Sequence, residues 1–181
     1  QIMLHVDCGG KEESTRWFFD HLRERQVAFD LIGLSYYPWW HGGVDKLRKN
    51  LAQTAERYGK PIVVVETAYP WRKHDETKNM NWPMTPQGQK QFVRELVETV
   101  RATPNGLGHG VIWWYPESVR TPGLYVWKNG DVALFDAEGN ALPALEALSV
   151  KIGCTNSAAI RSRVESKNKH NRLHTREDGC W

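Results

Sequence analysis

Cysteine is scarce in this chain of 181 residues, which contains only Cys8, Cys154 and Cys180. Three cysteines at irregular spacing exclude a disulfide scaffold and a zinc cluster with the usual ligand spacing. A bridge between Cys154 and Cys180 in an oxidising compartment and a set of free thiols are both compatible with the sequence. Because no other spacing of His, Cys and Asp is typical of a transition-metal site, we expect no metal and no cofactor.

Long apolar runs are also missing. The longest has about six residues, whereas a helix needs about 20 to cross a bilayer, so we expect no membrane-spanning segment. The chain has no recognisable secretory signal, because Gln1 is followed directly by the strand-like run Ile2–Val6. A sequence that begins within a strand and without Met is expected to be part of a longer polypeptide.

An excess of one charge is absent from most of the chain. The first 150 residues carry a net charge of −1, and the remainder carries +4. The region from 1 to 150 therefore gives no reason to expect nucleic acid as a partner. We expect residues 151–181 to form a basic, poorly ordered tail. Its positive charge comes mainly from Arg161, Arg163, Lys167, Lys169, Arg172 and Arg176.

The hydrophobic pattern that is present alternates between strand and helix. The predicted strands are 2–6, 29–37, 61–66 and 109–114. The predicted helices are 15–26 with Ser14 as its cap, 44–58 ending at Gly59, a third from Thr85-Pro86 to just before Pro104, and 143–150. In addition, Asn129-Gly130 predicts a β-hairpin between residues 124–127 and 132–135.

Four strand–helix units predict an α/β protein with a parallel sheet and right-handed connections. Two architectures satisfy this pattern: an open doubly wound sheet, or half of an eight-stranded (β/α)8 barrel. No glycine-rich phosphate loop of the form GxGxxG or GxxxxGK follows a strand, which disfavours a nucleotide-binding doubly wound sheet.

Polar and aromatic side chains are concentrated after the predicted strands, where ligands bind in both architectures. The strand ends carry His5, Asp7, Ser35, Tyr36, Tyr37, Trp39, Trp40, His41, Glu66, Thr67, Tyr69, Trp71, Trp113, Trp114, Tyr115 and Glu117. Aromatic rings stack on pyranose rings and carboxylates bind hydroxyl groups, so this composition favours sugar chemistry.

Glu66 is the strongest single candidate, because a carboxylate after the apolar run Val63–Val65 is costly to bury without a function or a partner. A purely structural ion pair with Arg72 is the competing interpretation. By contrast, we expect Trp17, Trp82 and Trp127 to be packing residues.

Four segments resemble consecutive strands of the arabinogalactan endo-β-1,4-galactanases of glycoside hydrolase family 53: 2–7, 30–42, 64–71 and 110–117. Residues 134–136 and 142–145 resemble the closing segment of that family. The resemblance covers residues 1–150. It implies the C-terminal half of a (β/α)8 barrel of the TIM type, with strands five to eight and the hairpin in this chain.

The resemblance further implies endo-hydrolysis of β-1,4-galactosidic bonds in (arabino)galactan with retention, and Glu66 as the nucleophile. The substrate contacts implied or expected at the strand ends are His5, Asp7, Ser35, Tyr36, Tyr37, Trp39, His41, Trp71 and Trp114. The acid/base of the family is the glutamate of an Asn-Glu pair. This chain contains no such pair, so we expect the acid/base to lie outside it.

A half barrel leaves two strand edges unpaired, so we expect this chain to need the missing N-terminal half-barrel or to self-associate. The resemblance also implies a plant polysaccharide, β-galactan or a relative, as the substrate and a secreted or periplasmic location. Two alternatives remain open at this point. One is a non-catalytic carbohydrate-binding remnant of such an enzyme, and the other is a doubly wound α/β domain with an unrelated small-molecule site.

Overall fold

The computed structural model describes residues 1–74 and 80–148. Within those residues, strands and helices alternate along the chain, as the hydrophobic pattern predicts. In chain order they are β1 (Met3–Val6), α1 (Glu12–Glu24), β2 (Leu31–Tyr36), α2 (Pro38–His41), α3 (Val44–Tyr58), β3 (Ile62–Thr67), α4 (Pro86–Arg101), β4 (Gly108–Val111) and α5 (Ala144–Leu148). None of the helices in these two ranges is long and apolar enough to cross a membrane.

The four strands form one sheet in the order β1-β2-β3-β4, and every neighbouring pair is parallel. This confirms the predicted parallel sheet, although the strands are up to three residues shorter at an end than predicted. Helix α1 begins at Glu12 with Lys11 as its N-cap. Ser14, the predicted cap, lies inside the helix. The predicted basic tail, including Cys154 and Cys180, lies outside the described residues.

Two helix ends follow their local sequence closely. Thr85 caps α4, because its side-chain oxygen accepts a hydrogen bond from the backbone N–H of Gly88 at 3.1 Å. Pro86 occupies the first turn of that helix, where its missing N–H costs nothing. At the end of α3, Gly59 adopts the left-handed conformation with φ 60°.

The hydrophobic core lies between one face of the sheet and the helices. Alternate strand residues are completely buried there, among them Ile32, Leu34, Ile62 and Val64. Helices α3 and α4 cover them with Leu47, Leu51, Phe92 and Leu96. The opposite face of the sheet includes Met3, Gly33 and Val65, and a Cβ added to Gly33 would lie 3.1 Å from Met3 Sδ.

A β-bulge interrupts the alternation of β3 just before its end. Leu34 pairs with Val64, but the next residue, Ser35, pairs with Glu66, so Val65 is an extra residue. The segment on the other side of β3 shows the same extra residue. The N–H groups of Ile112 and Trp114, two residues apart, donate to the carbonyls of Val64 and Thr67, which are three residues apart. Glu66 therefore emerges on the less buried face, instead of following Val64 into the helix-covered core.

The predicted β-hairpin is wrong. Residues Trp127–Gly130 form a 3₁₀ turn in which Lys128 and Asn129 both have φ 52°. The expected strand partners are used elsewhere, since the N–H of Leu134 donates to the carbonyl of Pro116. In the described part of this region, an isolated antiparallel bridge between Phe135 and Ala141 is the sole strand-like pairing. The local Asn-Gly signal is overridden because Val132 and Leu134 are buried in the core.

Trp17 is a second correction, because it was predicted to pack in the core. It lies in α1 and is 63% exposed, while its helix buries Thr15 and Phe19. Trp82 is partly buried against the core, as predicted, and its indole N–H donates to Glu95.

Candidate active site

Glu66 lies at the carboxyl end of the sheet and is held by a neighbouring strand end. Its Oε2 accepts a hydrogen bond from the phenol of Tyr37 at 3.1 Å. Burial, together with the negative charge of Glu66, raises the pKa of Tyr37, so the phenol stays protonated and continues to donate. The competing ion pair is not formed, because Arg72 bonds to Asp131 instead. Glu66 is thus a partly exposed carboxylate with one buried donor fixing its orientation.

The ends of β1 and β2 bring further polar groups to the same face. Ser35 is paired with Glu66 in the sheet register, and its Oγ lies 2.7 Å from Nε2 of His5. His5 is exposed, whereas Ser35 is buried. Asp7 is also exposed and accepts a hydrogen bond from the thiol of Cys8 at 2.8 Å. The structure therefore brings His5, Ser35 and Glu66 to one face, with Asp7 just beyond the end of β1.

Two of the predicted tryptophans lie at the same end of the sheet. Trp114 is 44% exposed, and its backbone N–H donates to the carbonyl of Thr67 at 2.8 Å, next to Glu66. Trp71 is half-buried, and its indole N–H donates to the carbonyl of Gly130 at 3.0 Å. The guanidinium of Arg72 lies 4.9 Å from the Trp71 ring centroid. Trp114 therefore presents a ring to solvent, while the polar atom of Trp71 fastens a turn.

Three other predicted contacts lie behind the site. Tyr36 is completely buried on the helix side of β2, and its hydroxyl donates to the carbonyl of Gly42. Trp39 is buried in the core. His41 is buried as well, and its Nδ1 accepts a hydrogen bond from the backbone N–H of Tyr37 at 3.0 Å. Burial lowers the pKa of His41, which agrees with a neutral acceptor. These three side chains are thus buried, and the rings of Trp39 and His41 pack against Tyr37.

Tyr37, the donor to Glu66, belongs to an aromatic cluster with Trp39, Trp40 and Trp127. The Tyr37 ring centroid lies 5.2 Å from those of Trp39 and Trp40 and 5.7 Å from that of Trp127. The ammonium of Lys128 lies between 5.3 and 6.0 Å from the three indole rings. Lys128 was not among the residues predicted from the sequence, whereas Trp127 packs against the core as predicted. Only the tryptophan content near residue 40 could have indicated this cluster.

A buried amide joins the loops around the site to helix α4. Gln89 is fully buried, and its Nε2 donates to the carbonyls of Tyr69 at 2.8 Å and Ala133 at 2.9 Å. Tyr69 follows β3, and Ala133 lies in the long segment after β4. The same two segments are joined again by Arg72 and Asp131. The site is therefore built on loops that are fastened to each other and to the scaffold.

Comparison with known proteins identifies relatives along almost all of the described region. The sequence profile of glycosyl hydrolase family 53 matches residues 1–148. The chain is 41% identical over 165 residues to an uncharacterized protein in the bgaB 5′ region of Niallia circulans. It is 35% identical over 162 residues to an arabinogalactan endo-β-1,4-galactanase of Cellvibrio japonicus. These alignments cover 82% and 80% of this chain, but 44% and 42% of the relatives.

Solved structures agree with the sequence relatives. The GH53 catalytic domain of Ignisphaera aggregans superposes with a TM-score of 0.73 at 29% identity, covering 82% of this chain and 46% of that domain. The chain thus spans less than half the length of the relatives that it matches. The fold is that of a partial (β/α)8 barrel rather than a doubly wound sheet. On the match over residues 1–148, this chain belongs to glycosyl hydrolase family 53.

Proposed function

We propose that this chain supplies the nucleophile for the retaining endo-hydrolysis of β-1,4-galactosidic bonds in galactan or arabinogalactan, and that Glu66 is that nucleophile. The observation that supports this most directly is the carboxylate of Glu66 at the carboxyl end of the sheet, oriented by Tyr37. A barrel enzyme carries its catalytic groups at this end. The galactanase of Cellvibrio japonicus, at 35% identity, supports galactan as the substrate.

In the first step, a Glu66 oxygen attacks the anomeric carbon, and the bond between that carbon and the leaving galactosyl oxygen breaks. The leaving oxygen takes a proton from an acid, and the sugar remains bound to Glu66 as an ester. In the second step, water attacks the anomeric carbon, loses its proton to the same acid/base group, and releases the Glu66 carboxylate. The Tyr37 hydroxyl keeps one carboxylate oxygen bonded, which leaves the other to attack.

We assign the acid/base glutamate to polypeptide outside residues 1–181, because no Asn-Glu pair occurs in this chain. Retention requires the two carboxyl groups to lie about 5–5.5 Å apart, so that polypeptide must complete the barrel beside Glu66. A complementary N-terminal half-barrel, or a second copy of the chain, is the proposed partner. A polysaccharide substrate also favours secretion or a periplasmic location.

An activated substrate tests Glu66 without the missing acid. A 2,4-dinitrophenyl 2-deoxy-2-fluoro-β-galactobioside has a leaving group that departs without a proton, and its fluorine slows hydrolysis of the ester. We expect intact-protein mass spectrometry of this chain to show one covalent galactobiosyl adduct, and peptide mapping to place it on Glu66. The variant Glu66→Gln should form no adduct, whereas the control Glu117→Gln should label like the unaltered chain.

Two outcomes would contradict the proposal in different ways. Labelling of a different residue would show that Glu66 is not the nucleophile. Binding of galactan without any adduct, and equally well by Glu66→Gln, would favour a non-catalytic carbohydrate-binding remnant, which the exposed rings of Trp40 and Trp114 would serve.

A further inference from the structure

A polar groove lies between α1 and α3 on their solvent side and involves none of the residues at the Glu66 site. Its volume is about 430 Å³, within the range of about 300–1,000 Å³ that is typical of small-molecule pockets. The residues that line it are Glu12, Arg16 and Arg23 from α1, and Gln53, Glu56 and Arg57 from α3. A smaller cavity of about 20 Å³ shares four of these residues and extends to Asn50, Thr54 and Tyr58.

Two of the three arginines are held in place by one carboxylate. Asp20 accepts hydrogen bonds from Nε and from a terminal nitrogen of Arg57, at 2.8 and 2.6 Å, and a nitrogen of Arg23 lies 3.3 Å from the same carboxylate. The hydroxyl of Tyr58 also donates to Asp20 at 3.1 Å. The hydrogen bonds from Arg57 lower the pKa of Asp20, so its carboxyl stays ionised. Asp20, Arg23 and Arg57 thus form an ordered group with a net charge of +1.

Three other polar groups of the groove are left open. The side chains of Arg16 and Glu56 form no hydrogen bond or ion pair within residues 1–74 and 80–148. Gln53 lines both cavities, and its Oε1 is shielded from solvent without a donor in the same part of the chain. By contrast, Glu12 is paired with Lys49 at 3.0 Å. The groove therefore offers one unpaired guanidinium and two oxygen acceptors.

These groups define the chemistry of a ligand. The Asp20 group and Arg16 each contribute one positive charge and Glu56 one negative charge, which favours a monoanion over a phosphate or sulfate dianion. A guanidinium binds a carboxylate through two parallel hydrogen bonds, and carboxylate and amide oxygens accept hydrogen bonds from hydroxyl groups. A sugar that carries one carboxylate, a uronate, matches both requirements.

We propose that this groove is a second glycan-binding site, separate from the catalytic edge, and that it binds a uronate residue of a polysaccharide. The uronate carboxylate pairs with Arg16, and its hydroxyl groups donate to Glu56 and to the amide oxygen of Gln53. That the uronate belongs to a polysaccharide rests on the proposed function. A protein that held its substrate at two places would keep a cleaved polysaccharide close to the site.

Isothermal titration of the full chain with trigalacturonate tests the site, with galactotriose as the neutral counterpart. We expect Arg16→Gln to weaken trigalacturonate binding about 10-fold and to leave galactotriose binding unchanged. Added salt should weaken trigalacturonate binding, because it screens the charges. Arg101→Gln is the matched control. It removes an exposed arginine at the end of α4 and changes the net charge equally, so its affinity for trigalacturonate should be that of the unaltered chain.

Two variants on α3 separate recognition of a sugar from simple attraction between charges. Glu56→Gln removes a negative charge, so attraction alone predicts tighter binding of trigalacturonate. We expect binding to weaken about threefold instead, because an amide is a poorer acceptor for hydroxyl groups than a carboxylate. Gln53→Met removes the buried oxygen that lacks a donor, so it should raise the thermal unfolding midpoint and yet weaken binding. Arg16 and Glu56 are exposed, and equal unfolding midpoints would verify that their variants fold.

The failures are distinguishable. If the unaltered chain binds no trigalacturonate, or Arg16→Gln binds it equally well, the assignment is wrong. If inorganic phosphate displaces trigalacturonate at a similar concentration, the groove is a general anion site. If gluconate binds as tightly as trigalacturonate, the ligand is a free hydroxy acid and the polysaccharide assignment is wrong. None of these results bears on covalent labelling of Glu66, whereas loss of that labelling with trigalacturonate binding intact would refute the proposed function alone.

Discussion

The buried amide of Gln89 gives the sharpest test of how the loops around the site are held. Its Nε2 donates to two backbone carbonyls, those of Tyr69 and Ala133, and both lie in loops that build the site. Replacement by Leu keeps a similar volume but removes both hydrogen bonds. Each neutral bond contributes about 1 kcal/mol, and each carbonyl left unsatisfied in the core costs about 1–3 kcal/mol.

Removal of the Gln89 side-chain oxygen has the opposite effect on stability. Its Oε1 is buried and has no hydrogen-bond partner among the described residues, so replacing Gln89 by Leu also removes the free-energy cost of burying this atom. We therefore expect Gln89→Leu to lower the free energy of unfolding by about 2–3 kcal/mol rather than by the full sum. Urea-induced unfolding, followed by tryptophan fluorescence and far-UV circular dichroism, measures this value. The control is Gln91→Leu, an exposed position on the same helix.

Gln89→Glu extends the test to pH. A carboxylate would face two carbonyl oxygens and has no proton to donate, so the folded state favours the protonated acid and raises its pKa above the value of about 4.3 in the unfolded chain. The variant should then be least destabilised near pH 4 and lose stability as the pH rises through the folded-state pKa.

A free energy of unfolding of Gln89→Leu within about 0.5 kcal/mol of that of the unaltered chain would refute the argument that these two hydrogen bonds hold the loops.

Two further predictions follow from buried groups elsewhere. Burial lowers the pKa of His41 below 6.5, and its Nδ1 accepts a hydrogen bond from the N–H of Tyr37, so the stability that His41 contributes is fully present above pH 6.5 and is lost as the pH falls through the folded-state pKa. The variant His41→Asn keeps an acceptor but does not titrate, so its unfolding free energy should depend less on pH in this range. An equally steep pH dependence in this variant would contradict the prediction. Gly88→Ala should lower the melting temperature although alanine favours helices, because the added Cβ would lie 1.8 Å from the carbonyl oxygen of Pro83. Gly110→Ala is the control, because the space around an added Cβ is open there. Equal melting temperatures for Gly88→Ala and the unaltered chain would argue against the clash.

Local signals in the sequence predicted local structure well. The caps at Thr85 and Gly59 depend on residues within one turn of each, and both are confirmed. Asn129-Gly130 is just as local, yet it failed, because burial of Val132 and Leu134 outweighs the preference of a two-residue turn. A hairpin signal has force only where its flanking segments are free to pair with each other.

The site was predictable in position but not in orientation. The ends of parallel strands meet at one edge, so Glu66 and Tyr37 could be placed together from sequence alone. Which of the adjacent residues Trp39 and Trp40 faces solvent depends on the single helical turn Pro38–His41, whose direction is set by packing after β2. The pairing of Lys128 with these rings joins residues about 90 positions apart and leaves no trace in periodicity.

The extra residue at Val65 has a consequence for how this protein tolerates change. Side chains in a strand alternate in direction, so the number of residues before Glu66 determines which way its carboxylate points. Substitution of Val63, Val64 or Val65 by another branched residue preserves that count, whereas regular pairing of all three residues, without the bulge, would turn the carboxylate toward the helices. The direction of the Glu66 carboxylate is thus encoded in the local pairing of β3 as much as in residue identity, and loss of one valine together with the bulge would leave the carboxylate on the same face.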